Sequence, residues 1–474
     1  MLKDYLYYQD NWIAIYQGDC REILKELPEK SIHCCVTSPP YWGLRDYKTE
    51  PLVWGGDGDC GHQWGNETFR ITGNAPSATK STLTTNAGKG PQLGNKYSAD
   101  NIYKSSEGQF CQLCNAWRGS LGLEPTPELY CQHLVEIFRE VKRVLRDDGT
   151  VWLNLGDSYA THNSGGKGYS HNFRKPEIAE REGISQVKPS AKSMRLKEKD
   201  LVGIPWMIAF ALRNDGWYLR SDIIWSKPNP MPESVTDRPT TAHEHIFLLA
   251  KSGKTLLWRH SKTKEWVYQK PEPDYVYETV ESEWDKTPDG WDTGEGTHGT
   301  IHRHGREKGK KYKKTKRKNL WKGFDYYYDA DAIKENFADE RMGNPGTYKW
   351  SYAEQGIYGK GPTSLAKEDN IVRGWNIEGI HKGRNKRSVW TIATQPFPEA
   401  HFAVFPEKLI EPCMLAGCPK DGIVLDPFLG SGTTAIVALK YNRSCIGIEL
   451  NPEYVKMANS RIEKECPQLN LRLV

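Results

Sequence analysis

The chain contains no run of about 18 apolar residues, the length a helix needs to cross a bilayer, so no membrane span is expected. Met1 to Trp12 is polar and aromatic rather than basic and then apolar. No secretory leader is read there, and a cytoplasmic protein is expected. Apolar residues are scarce, at 37% of 474, and mean hydropathy is −0.70. Much of the length must therefore be surface, loop or inserted lobe rather than core. Neither sign of charge dominates, and a net charge of +5 does not by itself call for nucleic acid. The charge is unevenly placed. Between Arg303 and Lys322 stand Arg306, Lys308, Lys310, Lys311, Lys313, Lys314, Lys316, Arg317 and Lys318, opposed by Glu307 alone. Such a run is either a solvated loop or a phosphate-contacting segment. Tyr312 and Trp321 beside it favour the second. The eleven cysteines show no disulfide framework; in an intracellular chain they read as thiols or metal ligands. Cys34, Cys35 and Cys445 lie in apolar strands and read as core.

Both ends of the chain look like α/β protein and the middle does not. Trp12 to Tyr16 reads as a strand ending at Gly18-Asp19, Arg21 to Leu27 as a helix stopped by Pro28, and Ile32 to Val36 as a strand. Residues 66–108 and 161–200 are loop-like in composition. Pro127 to Leu145 has helical spacing, Asp147-Asp148-Gly149 reads as a turn, and Thr150 to Leu155 as a buried strand. A helix over Ile204 to Asn214 and strands at Tyr218 to Trp225 and His245 to Ala250 follow. From about 251 to 388 the pattern is broken, aromatic and basic.

Two constellations carry chemistry. Gly422 to Leu425 is an apolar strand running into Asp426-Pro427-Phe428-Leu429-Gly430-Ser431-Gly432-Thr433-Thr434 and then a helix. Strand, glycine turn and helix make a nucleotide-binding elbow, because glycine lets the backbone approach a ligand closely. The third glycine of a dinucleotide fingerprint is missing, since Ala435 stands there. No lysine follows the glycines, which argues against a phosphate-binding loop. The next strand, Cys445 to Ile448, ends in Glu449, placed to hydrogen-bond a ribose. Near the other end, Val36-Thr37-Ser38-Pro39-Pro40-Tyr41 follows a strand. Two prolines stiffen this turn. Its carbonyls and the Ser38 hydroxyl can act as fixed acceptors for an amino group, with the Tyr41 ring as a stacking face, which suits a flipped base.

These motifs resemble the β group of DNA amino-methyltransferases, which modify cytosine N4 or adenine N6. In that family the catalytic motif precedes the cofactor motif, as Ser38–Tyr41 precede Phe428–Gly432 here. The resemblance extends through Trp152 to Tyr159, Asp222 to Glu244, and His401 to Leu409, and fades between about 252 and 322. It implies an α/β fold: a circularly permuted Rossmann-like sheet, with an inserted target-recognition lobe and a small zinc-knuckle insertion. The expected division is 1–58, 119–250 and 389–474 for the methyltransferase domain, 59–118 for the knuckle insertion, and 251–388 for target recognition. It implies S-adenosyl-L-methionine as cofactor. Asp19, Thr37, His401, Phe402, Pro406, Asp426, Phe428, Gly430, Ser431, Gly432, Thr433, Thr434 and Glu449 would bind it. Ser38, Pro39, Pro40 and Tyr41 would be catalytic. Within the family Thr-Ser-Pro-Pro-Tyr is typical of N4-cytosine enzymes, which makes N4 of cytosine in duplex DNA the expected target and N6 of adenine the alternative. A carbon-5 cytosine methylase needs a Pro-Cys nucleophile, and Pro412-Cys413 lies on an expected helix. A prokaryotic or phage source follows, and a cognate restriction endonuclease is an expected companion. Methyl transfer to RNA or to protein glutamine, and a silent DNA-binding protein, are the rival classes.

Cys60, His62, Cys111 and Cys114 form two close pairs that suit tetrahedral zinc; unliganded thiols are the alternative. Trp258, Trp266, Tyr268, Trp284 and Trp291 in the insert read as packing of its own core. Arg373, Arg384 and Arg387 could read guanine edges or hold phosphates.

Overall fold

The computed structural model describes residues 2–44, 47, 49–68, 105–160, 196–283, 311–335, 384–395 and 405–465. Among these, nine strands join in one sheet: β1 (Leu6–Gln9), β2 (Ile13–Gln17), β3 (Ile32–Thr37), β4 (Leu145–Leu155), β5 (Tyr218–Ser226), β6 (His243–Ala250), β7 (Val389–Thr391), β8 (Ile423–Asp426) and β9 (Ser444–Glu449). Their order across the sheet is β1-β2-β9-β8-β3-β4-β6-β5-β7. Both ends of the chain are therefore interleaved. The C-terminal β8 and β9 sit between the N-terminal β2 and β3, and the pairings β2–β9, β9–β8, β8–β3 and β3–β4 are all parallel. Antiparallel β6 lies between β4 and β5.

Parallel strands are covered on both faces, so they appear as continuous apolar runs, as in the Ile-Ala-Ile-Tyr of β2. The cover comes from six helices of the described chain: α1 (Cys20–Glu26), α2 (Pro127–Val144), α3 (Ile204–Asn214), α4 (Glu407–Gly417), α5 (Thr433–Lys440) and α6 (Pro452–Glu465). Ile23, Leu134, Phe138 and Ile208 of α1–α3 join one apolar cluster. Met414, Ile436, Val455 and Ile462 of α4–α6 join the other. Helix α2 starts cleanly because Thr126 caps the Leu129 N–H and Pro127 takes a first-turn position that needs no donor. Pro412-Cys413 lies inside α4 with the thiol buried.

Three expectations needed correction. Asp147-Asp148-Gly149 is not a turn but part of β4, and the β3 register shifts beside it between Ile32 and Cys34. Residues 66–68 and 105–108 of the expected 66–108 loop belong to strands Trp64–Thr68 and Ser105–Cys111, which join Leu52–Trp54 and Trp117–Gly119 in a four-stranded sheet. Lys311–Asn319 of the basic run is a strand, paired antiparallel with Tyr275–Glu283. That register sets Glu278, Glu281 and Glu283 opposite Lys316, Lys313 and Lys311.

Residues Ser252–Tyr327 form a separate unit. Its core includes Trp266 against Phe324 and Tyr327, and His260 against Trp321. Tyr328 to Glu335, within the 251–388 stretch, belong instead to the larger unit. Trp284, Trp291 and Arg373 lie outside the described residues.

Candidate active site

Parallel strands end on the same side of a sheet, and in open α/β sheets ligands bind beyond those carboxyl ends. Here β3 ends at Thr37, β8 at Asp426, β9 at Glu449 and β4 at Leu155. Both sequence constellations consequently emerge from adjacent strands along one edge.

Thr37 and Asp426 tie them together. The Thr37 hydroxyl donates to Asp426 Oδ1 at 2.6 Å, the Thr434 hydroxyl to Oδ2 at 2.6 Å, and the Phe428 N–H to Oδ1 at 3.0 Å. Asp426 is 0% exposed, and burial raises its carboxyl to about 6 against these three bonds. Asp426, Thr37 and Thr434 thus brace the two turns, and their side chains are spent on the protein. Asn451 Nδ2 adds a further link to the Tyr47 carbonyl at 3.3 Å.

The glycine turn is held from below. Arg461 of α6 is buried and donates to the Ser431 carbonyl at 2.9 Å, the Ser431 hydroxyl at 3.1 Å and the Thr433 hydroxyl at 3.1 Å. Gly432 has φ +83°, and a Cβ there would stand 3.0 Å from the Ala458 Cβ. Around the position where a Cβ would stand on Gly430, by contrast, the space is open, with its nearest neighbour at 3.9 Å. Glu449 accepts the Gly430 N–H through one oxygen and the Asn451 N–H through the other, both at 2.8 Å. Burial raises its carboxyl to about 7. Each oxygen keeps a lone pair, enough for a pair of vicinal ribose hydroxyls. The open face at Gly430 beside a half-buried carboxylate fits a nucleoside. Phe428 is half-buried at this turn, and Pro406 is buried at the start of α4. Asp19 is engaged by its own element: it caps α1 through the Arg21 N–H and pairs with the Arg21 guanidinium at 2.6 Å. His401 and Phe402 lie outside the described residues.

The proline turn is equally supported. The Tyr130 hydroxyl donates to the Pro40 carbonyl at 2.6 Å, and the Trp42 indole to the Glu124 carbonyl at 3.0 Å. Pro39 is buried, while Ser38 and Tyr41 are partly open. The Ser38 hydroxyl donates to the Tyr41 hydroxyl at 3.3 Å. Tyr41 in turn donates to Glu244 Oε2 at 2.8 Å, with Asn154 Oδ1 3.0 Å away. Asn154 Nδ2 donates to the same Glu244 oxygen at 3.2 Å and to the His245 carbonyl at 3.1 Å. Lys227 pairs with the other Glu244 oxygen. Burial, with the Glu244 charge beside it, pushes the Tyr41 phenol well above its ordinary range, so it stays protonated. Its ring packs against Gly156, where a Cβ would come within 2.6 Å of the ring.

Asn154, Gly156, Lys227 and Glu244 fall in stretches that carry the resemblance, Trp152 to Tyr159 and Asp222 to Glu244, but sequence reading assigns none of them an individual role, and it does not single out Arg461. Asn154 carried a signal, as a lone amide in the otherwise apolar strand Val151 to Leu155.

Cys60, His62, Cys111 and Cys114 converge, with all four ligand atoms within 4.8 Å of one another. Cys60 Sγ and Cys111 Sγ are 3.9 Å apart, and Cys114 Sγ and His62 Nδ1 3.4 Å. A tetrahedral zinc with Zn–S near 2.3 Å sets ligand separations of about 3.4–3.8 Å. The Trp54 and Trp117 rings beside this cluster sandwich His133 at 4.5 and 5.3 Å. His133 pairs at 2.9 Å with the fully buried Glu124, whose second oxygen accepts the Gly122 N–H. Gly122 accepts the Gly43 N–H, which connects this stack to the proline turn.

The sequence model of the N6/N4 family, described as DNA methylase, matches residues 32–460. The chain belongs to this DNA methylase family. The methylase is a β-group DNA amino-methyltransferase. It is 33% identical over 448 residues to the Type II methyltransferase M.SmaI of Serratia marcescens, covering 94% of this chain and 90% of that one. It is 31% identical over 455 residues to the Type II methyltransferase M.Cfr9I of Citrobacter freundii, covering 96% and 89%. Among solved structures it is similar to the PvuII DNA methyltransferase (cytosine-N4-specific), with TM-score 0.42, 14% identity, and coverage of 98% and 93%. That likeness is too loose to carry a target base. No helix among the described residues of the methylase is long and apolar enough to cross a membrane.

Proposed function

We propose that this DNA methylase transfers a methyl group to the N4 amine of cytosine, flipped out of duplex DNA into the gap between the proline and glycine turns. The observation that carries the reading is Ser38 itself. It stands where the resemblance puts serine in N4-cytosine enzymes, and it is half-buried on a braced turn with its hydroxyl bonded to Tyr41.

Glu449 and the open face of Gly430 would hold the nucleoside part of S-adenosyl-L-methionine, and the start of α4 at Pro406 would border its amino-acid part. When bound, that group supplies an electrophilic methyl carbon. The protein's part is positioning and electrostatics. The Ser38 hydroxyl and the Pro39 carbonyl accept the amino hydrogens, which frees the nitrogen lone pair from ring conjugation. Tyr41 offers a ring fixed at its hydroxyl by Glu244 and packed against Gly156. No covalent enzyme intermediate is required, in keeping with Cys413 being buried within α4.

The strand order supports reading the sheet as circularly permuted, with β8, β9 and β2 as the cofactor half and β3, β4, β6 and β5 as the base half. We assign zinc to Cys60, His62, Cys111 and Cys114, pinning the 59–118 insertion. Residues 252–327, with their basic ribbon strand, would serve target recognition. A companion restriction endonuclease is in keeping with relatives named Type II methyltransferases.

The test is nucleoside mass spectrometry of DNA from cells expressing the chain or its Ser38→Ala variant. N4-methylcytosine with the wild type alone is expected. N6-methyladenine would move the target to adenine, and no modified base would refute the reading.

A further inference from the structure

Methyl transfer leaves the attacked amine with one proton too many. The nitrogen gains a carbon, the electron pair of the broken carbon–sulfur bond stays on sulfur, and a proton must leave nitrogen. A group at the site must take that proton from the amine.

We propose that Ser38, Tyr41 and Glu244 form a proton relay that carries this proton from the amine to a carboxylate. The proposal rests on the reading of Ser38–Tyr41 as the catalytic turn. The amine proton passes to Ser38 Oγ as the serine proton passes to Tyr41 Oη and the tyrosine proton to Glu244 Oε2. Ser38 and Tyr41 end neutral, as they began, and Glu244 ends as a carboxylic acid that returns its proton to solvent.

The geometry has the required polarity. Each hydroxyl already donates toward the carboxylate, Ser38 to Tyr41 at 3.3 Å and Tyr41 to Glu244 at 2.8 Å. Asn154 fixes the accepting oxygen from the side at 3.2 Å, and Lys227 holds the other. Lys227 stands 4.3 Å over the Trp225 ring, which fixes its ammonium against Glu244. Because Tyr41 stays protonated, it conducts a proton rather than acting as a base. The groups facing Glu244 are Lys227 from the end of β5, Tyr41 from the proline turn and Asn154 from β4. His243 and His245 flank it on β6, and His245 is bonded to Asp222 at 2.9 Å.

The test is the single-turnover rate of methyl transfer from labelled S-adenosyl-L-methionine to duplex DNA, measured against pH. Glu244→Gln should lose 10²–10⁴-fold in rate. It should also lose the acid limb of the wild-type profile, while cofactor and DNA affinity measured by calorimetry stay unchanged. Tyr41→Phe should lose a similar factor. A Glu244→Gln variant that transfers methyl at the wild-type rate, or keeps the acid limb, overturns the relay. If the variants do not fold, the solvent isotope effect on the wild type decides. A curved proton inventory supports several protons in flight, and an isotope effect of unity overturns the relay. Ser38→Ala separates the two ideas: inactive Ser38→Ala with active Glu244→Gln sinks the relay alone, and active Ser38→Ala sinks the catalytic turn as well.

Discussion

Thr37 and Asp426 lie 389 positions apart and share a 2.6 Å hydrogen bond inside the protein. The bond joins the end of the strand before the proline turn to the end of the strand before the glycine turn. It therefore sets the spacing between the proline turn and the glycine turn, to which the proposed function gives the base and the cofactor. Thr37→Val keeps the shape and removes the donor. It should cost about 1.5–3 kcal/mol of stability, read by denaturant unfolding, because a buried carboxylate loses a partner. Thr37→Ser should restore most of that.

Gly156 carries the Tyr41 ring. A methyl group there would stand 2.6 Å from a ring carbon and would push the ring off its place. Gly156→Ala should lower methyl transfer at least tenfold with cofactor affinity unchanged, since Glu449 ends β9 and Gly430 lies in the turn after β8. Equal kcat for variant and wild type would show that the ring position does not matter.

The buried carboxyls give a pH dependence of stability with a definite sign. Asp426 is raised from 3.8 to about 6 and Glu449 from 4.5 to about 7, both chiefly by burial. The folded state then binds more protons than the unfolded one, and stability falls as pH rises from about 4 to about 7. Glu124 and Asp157 are raised by burial and act in the same direction. His33 is lowered by burial and opposes them near its upper end. Ionising Glu449 in place costs about 3 kcal/mol. Denaturant curves at pH 5 and pH 8 should show the wild type losing stability between them, and Glu449→Gln losing less.

The four-ligand cluster predicts about one zinc ion per chain by elemental analysis. Cys114→Ser should release it and lower the thermal midpoint. If the purified protein contains no zinc and chelator leaves its melting unchanged, the four side chains are ordinary thiols and imidazole. A related outcome concerns His133, stacked on Trp54 and Trp117 and bonded to Glu124. Breaking that buried pair with His133→Ala should cost about 3–5 kcal/mol.

Much of this was legible in the sequence, for physical reasons. Ile13–Gln17, Ile32–Thr37 and Ile423–Asp426 are short apolar runs stopped by glycine or proline, which is how parallel strands look when both faces are covered. The strand at Leu6–Gln9 alternates half-buried and exposed residues at a sheet edge and carried no such mark. Val389–Thr391 is three residues long and too short to show a period. Asp147 was taken for turn chemistry, yet it is held within β4 by Lys30 at 2.8 Å, a partner 117 positions away. Glu244 lies in the stretch Asp222 to Glu244 that carries the resemblance, but its contact with Tyr41, 203 positions earlier, is encoded by no local pattern. Asp426 was readable as part of the glycine motif, but its burial, and so its role as a brace, was not.

The account stands on one site assembled from both ends of the polypeptide. Its most direct measurement is single-turnover transfer of labelled methyl to duplex DNA by Ser38→Ala and Glu449→Ala, alongside cofactor affinity for each. Ser38→Ala should bind S-adenosyl-L-methionine as the wild type does and transfer at least 10²-fold more slowly. Glu449→Ala should bind it weakly and recover rate at saturation. Undiminished transfer by Ser38→Ala, or undiminished binding by Glu449→Ala, would contradict it.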